Sequence, residues 1–395
     1  MMDPIWLLLL LPLAAASGWL MSSYDRNSRQ KQKNIPDAYF KGLNFLLNEQ
    51  PDKALQVFME VVEVDKETIE MHMALGNLFR RRGEVERATR IHQNLVARSD
   101  LEDELRFLAL FELAQDYFKA GLYDRAENLF QELRAIPDYE EQACRFLLQI
   151  YDQEKEWKNA ISVAESLAQV SGQDLSESLA QYCCELAERA IVEGKNQSAE
   201  NYLQQAFDYD AHCIRAIIQS GRMSALRGNH QNAIAIWRGL EHWAPDALGE
   251  VVDHLANSYQ VLGDRKNFRK FLKAAIEKNP DPRIIRALVD LTQEEKGTEA
   301  GRALLLDLVR QYPSLDGLYQ LLKNRSFPIS GKSTSNDFGL WADMLSEVVE
   351  QGRDYHCRKC GFNSNSLHWQ CPGCKAWGSV QKNVRLNHGP AKTIV

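Results

Sequence analysis

Residues 75–95 read LGNLFRRRGEVERATRIHQNL. Gly76 and Ala88 are small residues placed where two antiparallel helices must approach closely, and Phe79 is the bulky residue three positions after the first of them. Gly83 falls between the two helical stretches, where a residue in the left-handed region ends the first one. The segment therefore predicts a helical hairpin.

It does not stand alone. Gly42 and Ala54 precede Gly76 and Ala88 by one step of 34 residues, and Ala126, Ala160, Ala199 and Ala233 follow at steps of 38, 34, 39 and 34. Phe268 and Gly301 hold the equivalent place in two degenerate units. The bulky position recurs as Phe45, Tyr117, Tyr151 and Tyr259, and the bend as Gly121, Gly194, Gly228 and Gly263. Pro245, Pro280 and Pro313 fall where second helices stop, and the longer steps imply short insertions around 100–104 and 172–175. A repeat of this length resembles the tetratricopeptide hairpin. The expectation is an all-α chain in which about eight hairpins fill residues 35–322 as a superhelix with a long groove, since a lone hairpin cannot bury its apolar faces. Asn77, Arg80, Arg81, Gln115 and Lys119 are expected to face that groove and to contact a partner.

Composition agrees with helix: 45% of residues are apolar, 26% are charged, and there are only 22 Gly and 12 Pro in 395 residues. The net charge of −7 conceals a long acidic body between basic stretches at 22–33 and 353–395. An acidic body excludes wrapping by nucleic acid, which requires a basic footprint.

Residues 5–21, IWLLLLLPLAAASGWLM, carry no charge. At 1.5 Å per residue the run reaches the lower limit for crossing a bilayer. Trp6 and Trp19 lie near its ends, where indoles favour the headgroup region. A cleaved leader would carry Lys or Arg before the apolar run, and the opening MMDP has neither. A single-pass anchor is expected, and Arg26, Arg29, Lys31 and Lys33 after it place the bulk of the chain in the cytoplasm.

Four of the eight cysteines crowd into CRKCGFNSNSLHWQCPGC, residues 357–374. Cys357 and Cys360 form one Cys-x-x-Cys pair, and Cys371 and Cys374 the other. Two intervening residues let both thiolates of a pair converge on one ion, and two pairs complete a closed tetrahedral site for zinc or iron. Gly361 and Gly373 are expected at its tight turns, with Phe362, Trp369 and Trp377 packed against the pairs. A closed four-sulfur site has no open position for water, so its role is to hold a small segment folded. Cys144, Cys183 and Cys184 fall in helical sequence and read as small buried apolar residues.

No catalytic constellation accompanies these features, and no enzyme activity is expected. Gly331-Lys332-Ser333-Thr334 resembles the end of a phosphate-binding loop, but Ser326 stands where the motif needs glycine. The polar run 324–337 reads as a hinge, followed by a helix of about residues 339–351.

The order of features, with GLNFLLNEQPDKAL at 42–55, residues 75–95, AGLYDRAENLF at 120–130 and the cysteine segment to Trp377, resembles the lipopolysaccharide assembly protein B family (LapB, also YciM) over essentially the whole chain. The resemblance implies an inner-membrane adaptor that restrains lipopolysaccharide synthesis. Its implied partners are the AAA+ metalloprotease FtsH, the lipid A pathway deacetylase LpxC, whose proteolysis it promotes, and other lipopolysaccharide-assembly proteins. It also implies a rubredoxin-like module ligated by Cys357, Cys360, Cys371 and Cys374, which favours iron over zinc. The alternatives are a general chaperone or secretion scaffold and a rubredoxin-type redox protein. The expected organisation is an anchor at 1–21, a basic linker at 22–34, the solenoid at 35–322, a hinge and linking helix at 323–352, the metal module at 353–385 and a tail at 386–395.

Overall fold

The computed structural model describes residues 66–99, 101–313 and 355–382, with short pieces within 40–57 and 317–321. The expected anchor, basic linker, hinge, linking helix and C-terminal tail lie outside these residues. Among the described residues no helix is long and apolar enough to cross a membrane.

The chain forms two compact units, Met1–Ile150 and Tyr151–Val395. In the first, α1 (Lys66–Arg81) pairs with α2 (Val85–Val96) and α3 (Asp103–Lys119) with α4 (Tyr123–Arg134); the division between units falls within α5 (Pro137–Glu154). The second continues with α6 (Trp157–Ser171), then α7 (Ser176–Val192) and α8 (Asn196–Tyr209), then α9 (Ile214–Leu226) and α10 (His230–Arg238). A short α11 (Leu240–Trp243) follows, and then α12 (Leu248–Val261) with α13 (Arg265–Lys278) and α14 (Pro282–Lys296) with α15 (Thr298–Gln311).

The small residues do what their spacing predicted. Ala54, Ala88, Ala126, Ala160, Ala199 and Ala233 are fully buried. A Cβ added at Gly76 would stand 2.3 Å from the His92 ring, and one at Gly221 2.2 Å from the Trp237 indole. Only a residue without a side chain admits that approach of first helix to second. The bends at Gly83, Gly121, Gly194, Gly228 and Gly263 all have φ between 70 and 82°. Between α5 and α6 the same place is taken by Lys155, at φ 59°.

Two departures are local. The second helix of one hairpin breaks at Gly239, a poor helix former, so that α11 follows α10 with Pro245 opening a 3-10 turn after it. The spacers before α3 and α7 hold the extra residues of the two long steps.

Residues 355–382 fold separately in kind. β1 (Tyr355–Cys357) lies between β2 (Asn363–Ser364) and β3 (Val380–Lys382), antiparallel to both, with Cys357 opposite Val380. A small core of Tyr355, Cys357, Cys371 and Val380, with Phe362 and Leu367 against it, is all the apolar interior this segment has.

Candidate metal centre and its docking surface

The two Cys-x-x-Cys turns are built alike. The N–H of Gly361 donates to the carbonyl of Cys357 and that of Lys375 to the carbonyl of Cys371, both at 2.9 Å. The amide of each leading cysteine is then returned, Cys357 to the Phe362 carbonyl at 2.7 Å and Cys371 to that of Ala376 at 2.9 Å. The left-handed residue is Gly361 in the first turn, as expected, but Lys375 in the second, at φ 57°. Gly373 does not take that role: a Cβ there would make only ordinary contacts, the nearest being Cys360 Sγ at 3.4 Å. The second turn places its strained residue directly after the cysteine pair, in the register of the first.

These turns bring the four sulfurs within 4.8 Å of one another. Cys357 Sγ is 3.7 Å from Cys374 Sγ, and Cys360 Sγ is 3.6 Å from Cys371 Sγ. An ion about 2.3 Å from each of four tetrahedral sulfurs sets them about 3.8 Å apart. The spacing therefore fits one zinc or iron ion. Cys357 and Cys371 are buried, whereas Cys360 and Cys374 face outward. The Ser379 hydroxyl, 3.3 Å from Cys357 Sγ, draws that thiol down to about 6, toward the thiolate a metal requires. His368 Nε2 bonds the Ser364 hydroxyl at 2.9 Å. Cys357, Cys360, Cys371 and Cys374 would hold the ion, which supplies the ligation energy that so small an interior lacks.

The tryptophans depart from expectation. Trp369 and Trp377 turn away from the metal turns and onto the helices of the second unit. Trp377 meets Trp157 and Tyr182 edge-on, each ring centroid 5.7 Å away, while those two rings stack on each other. Trp369 lies under the Arg215 guanidinium, 5.9 Å from its ring centre. Aromatic edges and a cation over a ring are favourable contacts worth about 1 kcal/mol each.

Three helix-borne carboxylates complete the docking surface. Asp152 on α5 accepts from Gln370 Nε2 at 3.0 Å and from Trp377 Nε1 at 3.4 Å. Glu250 on α12 accepts from the Tyr355 hydroxyl at 2.5 Å, and Asp281, which caps α14, pairs with Lys382. The module thus reaches helices from α5 to α14. Burial raises the Asp152 carboxyl to about 6, against the opposing pull of Trp377, Tyr182, Lys375 and Gln370. Burial would also raise Asp281, but Lys382 and Arg283 outweigh it and hold that carboxyl below its usual range. This surface had no sequence signal, because each partner reads as an ordinary helix-surface charge until the fold brings position 152 to position 377.

The five residues expected to contact a partner are placed in the first unit and do not make one open patch. Arg80 is turned into the hairpin stack: it pairs with Asp116 at 2.9 Å and with Glu112, and donates to Asn77 Oδ1 at 2.7 Å. Asp116, fully buried, also holds His92 Nδ1 at 2.5 Å. Gln115 reaches Glu112 at 3.4 Å. Arg81 and Lys119, by contrast, are exposed.

Comparison with known proteins decides the family. Lipopolysaccharide assembly protein B of Escherichia coli is 34% identical over 377 residues, covering 95% of this chain and 97% of that one. The chain belongs to the lipopolysaccharide assembly protein B family. The Haemophilus influenzae member is likewise 34% identical, covering 97% of this chain and 99% of its own. The profile of the rubredoxin metal binding domain matches residues 355–382, and that of the tetratricopeptide repeat matches residues 72–105. Among solved structures, a tetratricopeptide repeat protein from Parabacteroides merdae aligns at 14% identity and a TM-score of 0.31, over 65% of this chain and 99% of that one. Its four-cysteine module could bind one metal ion.

Proposed function

We propose that this chain is a non-enzymatic adaptor, anchored in the inner membrane by residues 1–21 with its bulk in the cytoplasm. In this reading it restrains lipopolysaccharide synthesis by bringing the deacetylase LpxC to the membrane protease FtsH. The observation that carries the reading is the family relation, which runs through almost the full length of both chains rather than through one module. The charge-free run 5–21 and the basic residues after it support the anchor and its direction. Confinement of protease, client and adaptor to one membrane surface raises their effective concentration without any new contact.

Deleting residues 1–21 tests it. The half-life of the deacetylase in cells should lengthen severalfold although the helical body stays folded. Unchanged turnover would sink the tether. Protease added to right-side-out vesicles should leave the body intact, and its digestion there would reverse the orientation. The metal is read from protein purified without added metal: iron colours the site, zinc does not.

A further inference from the structure

One chemical grouping lies outside the metal centre. Cys184, in the middle of α7, and Cys213, the residue that opens α9, bring their sulfurs to 3.8 Å across two neighbouring hairpins. Both are free thiols, 0% and 2% exposed, inside a buried cluster that is otherwise mainly alanine, with Cys183, Leu203 and Met223. We propose that Cys184 and Cys213 are an oxidisable dithiol, a modification site at which a peroxide forms a reversible disulfide joining α7 to α9.

The two sulfurs are unlike. Cys213 sits at a helix N-terminus, and its thiol is lowered, first by the hydrogen bond from Cys184 and then, against burial, by the backbone N–H groups of Ala216 and Arg215. Gln181 Nε2 adds a further donor at 3.8 Å. Cys184 is raised, by that same bond to Cys213 and by burial. Helix N-termini favour thiolates in this way. Cys183, the next residue along, is pushed up to about 12, mainly by burial. Cys213 is thus the attacking sulfur and Cys184 the resolving one.

The chemistry balances with hydrogen peroxide as the oxidant. The Cys213 thiolate attacks one peroxide oxygen; an S–O bond forms, the O–O bond breaks, and the departing hydroxide takes a proton to become water. Cys184 sulfur then attacks the sulfenic acid; the S–S bond forms, the S–O bond breaks, and the second hydroxide leaves with the Cys184 proton as water. Two thiols lose two electrons and one peroxide becomes two waters. In a reducing compartment the pair rests as thiols and an added dithiol restores it. The link would fasten together α7 and α9, the helices that carry Tyr182 under Trp377 and Arg215 over Trp369.

The test uses the full metal-loaded chain and its Cys183→Ser variant, treated with stepwise hydrogen peroxide. Remaining thiols are trapped in denaturant with N-ethylmaleimide, and peptides are mapped without reduction. A Cys184–Cys213 linked peptide should appear in both proteins while the metal is still bound. It should vanish on adding dithiothreitol and be absent from Cys184→Ser and Cys213→Ser. Should either of those variants fail to fold, the wild-type and Cys183→Ser maps decide alone. The proposal fails if both sulfurs remain maleimide-labelled at peroxide levels that already release the metal. It fails equally if Cys213 pairs with Cys183, or if the link forms only in protein unfolded beforehand.

Discussion

Lys155 turns the chain between α5 and α6 in a conformation that glycine adopts at five other bends. A side chain in the left-handed region costs roughly 1 kcal/mol, partly offset by the chain freedom that glycine adds to the unfolded state. Lys155→Gly should therefore raise stability by about 0.5–1 kcal/mol, read as a higher urea midpoint with an unchanged slope. The neighbouring Asp152 sets a pH dependence of definite sign. Its folded carboxyl titrates near 6, above the ordinary aspartate value, so the folded state holds the proton more tightly than the unfolded one. The second unit should lose stability as pH rises through the window from about 4 to about 6, with most of the loss complete by neutrality. After screening by solvent at a site part-open to water, the amplitude is on the order of 1–2 kcal/mol. Asp152→Asn should flatten that slope. A stability curve equally steep in the variant would show that another group carries it.

At the scale of the element, the hairpins were legible because their requirements are local. A glycine at a bend and a small residue facing a ring are needed wherever two helices close on each other, so they leave a mark at every step. The convergence of the four cysteines was legible for the same reason: two residues between paired cysteines fix the geometry within one turn. What the sequence did not show is long-range. Trp377 reads as a residue to pack beside its own cysteines, and nothing nearby in sequence says that Trp157 and Tyr182 offer a better seat. Likewise Arg80 reads as groove charge, yet Asp116, 36 residues later, takes it into the stack. The seat itself can be tested. Trp377 is 8% exposed, and Trp377→Ala should cost about 3 kcal/mol of docking. Metal content should stay at one ion per chain, while proteolysis within 355–382 becomes faster. Loss of the metal in that variant would mean that the tryptophan supports the cysteine turns after all.

For the second unit as a whole, the four sulfurs and the helix carboxylates form one thermodynamic system. Ligation of an ion would hold residues 355–382 folded, and only the folded segment presents Trp377, Tyr355 and Lys382 together to Asp152, Glu250 and Asp281. Metal binding should then stabilise the helices, by about 1.4 kcal/mol for each tenfold excess of free ion over its dissociation constant. Removing the ion with a chelator, or replacing Cys371 by serine, should lower the thermal midpoint of the helical signal and not merely abolish the small sheet. An unchanged helical midpoint would show that the module rides on the helices without supporting them. Tandem repeats ordinarily touch only their neighbours and can fray one at a time. A strap that reaches from Asp152 to Asp281 removes that freedom. Amide protons in α7, α9 and α12 should exchange as one cooperative block while the strap is closed, and as separate fraying hairpins once it is cut.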